Sequence, residues 1–131
     1  MFLEIIMSLD YFIKDGGELF AGQHILIDLY GSSGFDDPAK IEKVLRDIVK
    51  VCQATLLHIH LHKFSENGGI SGVAVLAESH VSCHTWPEAR FAAFDIFMCG
   101  NTQPELAADI LEKYFKPERK EVTYLRRGNI T

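Results

Sequence analysis

Apolar and polar positions along this chain repeat with two alternating periods, and the points where the period changes outline the elements. Residues 24–30 alternate and are rich in β-forming residues, which predicts a strand closed by Gly31-Ser32-Ser33-Gly34. Asp37 then offers a side-chain acceptor for free backbone N–H groups, and Pro38 suits a first helical turn. Ile41, Val44, Leu45, Ile48 and Val49 follow at helical spacing and predict one buried stripe. Period two returns over residues 55–63, with His58, His60 and His62 on one face and Leu57, Ile59 and Leu61 on the other.

The Gly68-Gly69 turn leads into a strand over residues 70–77, and residues 81–85 and 91–98 read as two more. Thr102-Gln103-Pro104-Glu105 matches a capping box. Leu106, Ala107, Ile110, Leu111, Tyr114 and Phe115 mark a second amphipathic helix, stopped by Lys116-Pro117. Residues 120–126 read as a last strand, and residues 1–22 as a short amphipathic lead ending at Gly16-Gly17 and Gly22. Several strands joined by tight turns, with only two long helices, predict an α+β fold: a two-layer sandwich of mainly antiparallel sheet with helices packed on one face. The other face has no obvious cover in the sequence, and a partner subunit would supply one.

Composition narrows the class. At 131 residues, with 47% hydrophobic and 24% charged residues, the chain is expected to fold as a single domain over residues 1–131. A net charge of −5 and no basic stripe argue against a nucleic-acid partner. Cys52, Cys83 and Cys99 cannot all pair, and their spacing is no disulfide framework, so a reducing compartment is expected. The apolar opening Met1-Phe2-Leu3-Glu4-Ile5-Ile6-Met7 is short, lacks a basic flank and is interrupted by Glu4. Neither a membrane span nor a signal peptide is expected, and the chain reads as cytoplasmic.

The candidate chemistry lies in Ala77-Glu78-Ser79-His80-Val81-Ser82-Cys83-His84-Thr85-Trp86-Pro87-Glu88, with Gly69-Ile70-Ser71-Gly72 upstream and Asp95-Ile96-Phe97-Met98-Cys99-Gly100 downstream. Together these segments resemble the self-processing site of prokaryotic S-adenosylmethionine decarboxylases. The resemblance spans residues 23–127 and is strongest over 69–100. It implies that the proenzyme cuts itself between Glu78 and Ser79 into a beta chain (1–78) and an alpha chain (79–131). Ser79 would become a pyruvoyl group, the self-derived cofactor. The Ser79 hydroxyl would attack the Glu78 carbonyl to give an ester; loss of the Ser79 α-proton would then expel the Glu78 carboxylate, and the remaining dehydroalanine would hydrolyse. A strained turn at Ser79 would favour the attack.

By the same resemblance His84 is the base for the elimination, and an imidazole suits that task. Ser71 helps polarise the carbonyl or orient the histidine. Cys99 returns a proton after carbon dioxide leaves. Phe64 is implied to stack on adenine and Glu88 to accept from ribose hydroxyls, while a sulfonium cation would be drawn to the face of Phe64 or Trp86. Two departures from the family stand out: the Phe64-to-Gly69 turn is one residue longer, and Cys83 replaces an aliphatic residue.

The implied activity is a carboxy-lyase acting on S-adenosylmethionine for polyamine (spermidine) synthesis, in an assembly of at least a dimer. Two alternatives are the same processing with arginine or ornithine as substrate, and a non-catalytic ligand- or metal-binding protein. For metal, His80, Cys83 and His84 could add ligands for zinc or iron to the histidine stripe, but three histidines about 6.6 Å apart along a strand do not easily converge on one ion, and no carboxylate or CxxC companion has standard spacing. The expectation is therefore no metal site.

Overall fold

The computed structural model describes residues 12–131. Seven strands form one antiparallel sheet. They are β1 (Ile13–Asp15), β2 (Glu18–Tyr30), β3 (Leu56–Lys63), β4 (Ile70–Leu76), β5 (Ser79–Trp86), β6 (Phe91–Met98) and β7 (Arg119–Asn129). Helix α1 (Pro38–Val51) connects β2 to β3, and α2 (Ala107–Phe115) lies between β6 and β7. The long strand β2 pairs with β6 on one edge and β7 on the other. From β6 the sheet continues through β5 and β4 to β3. The short strand β1 adds to the start of β2.

One face is apolar and carries both helices. Pairing sets Ile25, Ile27 and Leu29 of β2 opposite Ile96, Phe94 and Ala92 of β6, all of them fully buried or nearly so. Val81 and Cys83 of β5 and Ala74 and Leu76 of β4 extend this floor. The predicted stripe of α1 (Ile41, Val44, Leu45, Ile48, Val49) packs into it, beside Ala107, Ala108, Leu111 and Phe115 of α2. Asp37 caps α1 by accepting from the N–H groups of Ala39 and Lys40, with Pro38 in the first turn. Lys120 of β7 ties its edge to α2 through Asp109 and Glu112. No described element packs on the opposite face. The α+β architecture with helices on one side is as expected.

Several local expectations need correction. Residues 12–22 are not a lead: β2 already begins at Glu18, six residues before the alternation becomes visible. Gly16 (φ 59°) and Gly17 (φ 81°) form the two-residue turn of a β1–β2 hairpin, the kind that calls for positive φ at both positions. The Met1–Met7 run lies outside the described residues; among those described, no helix is long and apolar enough to cross a membrane. The capping box does not form. The Thr102 hydroxyl donates to the Cys99 carbonyl at 2.9 Å instead, and a 3-10 turn over Pro104–Leu106 precedes α2. Leu57 does not join Ile59 and Leu61, because a register shift between Leu56 and His58 leaves it 63% exposed. β7 runs longer at both ends than residues 120–126, held by pairing along β2.

A buried threonine locks three parts of the fold together. The Thr85 hydroxyl donates to the Phe35 carbonyl at 2.7 Å and accepts from the Ile70 N–H at 2.8 Å, with no solvent exposure. Thr85→Val keeps the shape but strands both backbone groups. At about 1–3 kcal/mol for each buried group left without a partner, urea unfolding is expected to show a loss of about 2 kcal/mol or more.

Candidate active site

The chain reverses between β4 and β5 in a two-residue turn, with Leu76 paired to Ser79 across it. Such turns normally place glycine or asparagine at positive φ. Here Ala77 and Glu78 occupy the turn, and the positive φ falls on Ser79, at 142°. An L-residue in that region costs on the order of 1–3 kcal/mol and persists only where its surroundings impose it.

The surroundings do so. The Ala77 N–H donates to the Thr55 carbonyl at 3.0 Å. In return the Thr55 N–H and hydroxyl donate to the two Glu78 carboxylate oxygens at 2.8 and 3.1 Å. The Cys99 N–H donates to the Glu78 carbonyl oxygen at 3.1 Å. Glu78 is thus gripped through its side chain from one neighbour and through its carbonyl from the other. The Cys99 donor polarises that carbonyl and is already in position for negative charge developing on it. Ser79 Oγ lies 3.2 Å from His80 Nδ1.

The Cys99 thiol is half-buried at this turn. Burial first, and then the negative charge of Glu78, push its pKa above the ordinary thiol value. It is held as a protonated thiol at neutral pH, a form that can give up a proton. Cys52 and Cys83 are more deeply buried, and that burial pushes both up to about 12.

A second group gathers at the far end of the same strand. Ser71 of β4 stands directly opposite His84 of β5. His84 packs on Trp86 with ring centroids 4.1 Å apart, and the Phe64 ring centroid lies 6.0 Å from that of His84. The extra residue in the turn after Phe64 does not carry that ring away from the group. His84 Nδ1 is buried without a hydrogen-bond partner. Glu88 follows β5 and accepts from the Asn67 side chain at 3.1 Å. An open depression of about 450 Å³ is lined by Ser71, Ser82, His84, Asp95, His60 and His62.

Between the two groups runs a polar link. Arg127 donates to His24 Nδ1 at 3.3 Å, which leaves the His24 Nε2–H to donate to Asp95. Ser82 donates to the other Asp95 oxygen. Burial alone would raise the Asp95 carboxyl, but the hydrogen bonds from Ser82 and His24 and the charges of His24 and His80 outweigh it and hold it below the usual carboxylate range.

The eight residues singled out from the sequence therefore fall into two sets. Glu78, Ser79 and Cys99 meet at one end of β5; Ser71, His84, Phe64, Trp86 and Glu88 meet at the other. β5 pairs without a bulge on both sides. Five steps of about 3.3 Å separate Ser79 from His84 by about 16 Å within one chain. Thr55, Asp95 and the placement of His80 against the Ser79 hydroxyl are additions that sequence reasoning missed. His80 and Asp95 lie inside the quoted motifs, whereas Thr55 gives no local signal. Among the described residues, no group of three or more His, Cys, Asp or Glu side chains could hold a metal ion; His58, His60 and His62 line the outer strand, β3.

The family model for S-adenosylmethionine decarboxylase matches residues 23–128. A chain named S-adenosylmethionine decarboxylase proenzyme from Methanococcus maripaludis is 49% identical over 112 residues, covering 83% of this chain and 91% of its own. One of the same name from Thermomicrobium roseum is 41% identical over 110 residues, covering 83% and 95%. The crystal structure of the adenosylmethionine decarboxylase from Aquifex aeolicus superposes with a TM-score of 0.73 at 34% identity, over 84% of this chain and 92% of that one.

The raised Cys99 pKa has a measurable consequence. A thiolate forms only as pH rises through the folded-state pKa, so alkylation of Cys99 in uncleaved Ser79→Ala protein is expected to rise at higher pH than alkylation of a free thiol. Glu78→Gln removes the negative charge and should move that rise to lower pH. Mass spectrometry of alkylated peptides follows both.

Proposed function

The chain belongs to the S-adenosylmethionine decarboxylase family, and we propose that it is a self-cleaving carboxy-lyase that decarboxylates S-adenosylmethionine with a pyruvoyl group made from Ser79. Its product is the aminopropyl donor for polyamine synthesis, and its place of work is the cytoplasm. The observation that carries this reading is the Glu78–Ser79 junction: positive φ at the serine and a carbonyl already holding a donor, within the family match. Arginine, ornithine and a non-catalytic binding role find no support in the comparisons.

The Ser79 hydroxyl attacks the Glu78 carbonyl carbon, and the Cys99 N–H receives the developing oxyanion. The C–N bond breaks, leaving an ester and a free amine. His84 removes the Ser79 α-proton, the Glu78 carboxylate leaves, and the dehydroalanine takes up water with loss of ammonia. The two products are residues 1–78 and 79–131 of one folded domain. Thr55 keeps Glu78 in register before and after the cut. A pyruvoyl group at residue 79 would supply an electron-accepting carbonyl for the substrate amine. The Cys99 thiol would return a proton to the carbon that loses carbon dioxide. Phe64 and Trp86 offer aromatic faces to adenine and to the sulfonium, and Glu88 accepts from the ribose hydroxyls.

About 16 Å between Ser79 and His84 is too far for proton transfer within one chain. The active assembly is therefore at least a dimer, in which Ser71, His84, Phe64, Trp86 and Glu88 of a second copy face Ser79 and Cys99 of the first. The uncovered sheet face that carries His84 is where the second copy docks.

Intact-mass spectrometry tests the processing. Wild type should give two fragments meeting at Glu78/Ser79, the second without a free amino terminus, while Ser79→Ala stays whole. His84→Ala should stop at the ester, which hydroxylamine splits. Cys99→Ala should still cleave but release labelled carbon dioxide from S-adenosylmethionine roughly 100-fold more slowly. A whole wild-type chain, or normal turnover without Cys99, would contradict these roles.

A further inference from the structure

Attack on the Glu78 carbonyl requires the Ser79 hydroxyl to lose its proton, and neither His84 nor Ser71 of the same chain is near enough to take it. We propose that His80 is the catalytic base of this first step, acting on the serine beside it in the same chain. The proposal rests on the self-cleavage described above and concerns the acyl shift alone.

Three observations carry it. His80 Nδ1 lies 3.2 Å from Ser79 Oγ, hydrogen-bond distance to the atom that must become the nucleophile. The ring is fixed rather than free: it packs on Phe97 with centroids 5.8 Å apart and meets His24 edge-on at 6.5 Å. His24, whose ring meets that of His80, is itself held by Asp95, which Ser82 grips from the other oxygen. Arg127 holds His24 from behind, so Asp95, His24 and Ser82 act as positioning residues.

In the step, His80 Nδ1 accepts the Oγ proton as the Oγ–C bond to Glu78 forms. The same proton then passes to the Ser79 nitrogen as the C–N bond breaks. His80 ends neutral, no outside reactant is consumed, and the ester is left for His84 to act on. Two imidazoles thus divide the work: one in cis for the shift, one from the second copy for the elimination.

The test is the cleavage time course of freshly purified full-length His80→Ala, followed by intact mass beside wild type, Ser79→Ala and His84→Ala. We expect cleavage at least roughly 100-fold slower than wild type. The uncut chain should resist hydroxylamine, unlike His84→Ala, and added imidazole should restore cutting. Cleavage within a few-fold of wild type, an accumulated ester, or a folded variant that imidazole does not rescue would each overturn the proposal. If His80→Ala fails to fold, as judged by its thermal melt, His80→Gln decides: it can hydrogen-bond but cannot serve as the base, so slow cleavage supports the role and a wild-type rate removes it. A wild type that itself stays whole would instead sink the self-cleavage reading.

Discussion

The unbroken pairing of β5 between β4 and β6 is the constraint from which the rest follows. All eight of its residues pair with β6, and the six from Ser79 to His84 pair with β4 as well, without a bulge, so the strand behaves as a rigid ruler. At about 3.3 Å per residue, Ser79 and His84 stand at its two ends and cannot meet. Each chain therefore carries two separate groups: a strained junction with its thiol, and an aromatic and imidazole cluster. In the proposed dimer, the sheet face left uncovered by helices is the one on which the second copy docks.

The energetic logic differs between the two faces. On the helix side, Ile25, Ile27, Phe94, Ile96 and the stripe of α1 remove apolar surface from water, which supplies the main driving force for folding. That reserve sustains the unfavourable backbone at Ser79, which the Thr55–Glu78 and Cys99–Glu78 hydrogen bonds hold in place. On the open side, polar groups satisfy one another along the line Arg127, His24, Asp95 and Ser82. Cys99 is raised first by its burial and then by the charge of Glu78, so one carboxylate contributes both to the geometry of the junction and to the protonation of the thiol.

Much of the fold is legible in the sequence. The spacing from Ile41 to Val49 marks both the helix and its buried face, because a repeating burial period leaves a direct trace in residue type, and the strand over Phe91–Met98 has the bounds expected of it. The β1–β2 hairpin escaped because residues 18–23 do not alternate cleanly, so the pairing partners decide the strand. The capping box failed because Thr102 had a better acceptor in a carbonyl three residues back. Leu57 moved because a register shift is set by both strands of a pair. The motif named the candidate residues but not their separation. Its compactness in sequence suggests one cluster, whereas a strand converts five positions into about 16 Å. Thr55, which grips Glu78 from 23 residues away, leaves no local mark at all.

The most direct measurement is co-expression of Ser79→Ala with His84→Ala, one chain tagged, followed by intact mass of the mixed dimer. Neither variant completes processing alone. In the mixture, the intact serine of one chain meets the intact histidine of the other, so the His84→Ala chain should be cut and carry the pyruvoyl end. If that chain remains uncut or stops at the ester while mixed dimers form, Ser79 does not draw on the His84 of a second copy, and the divided site is wrong.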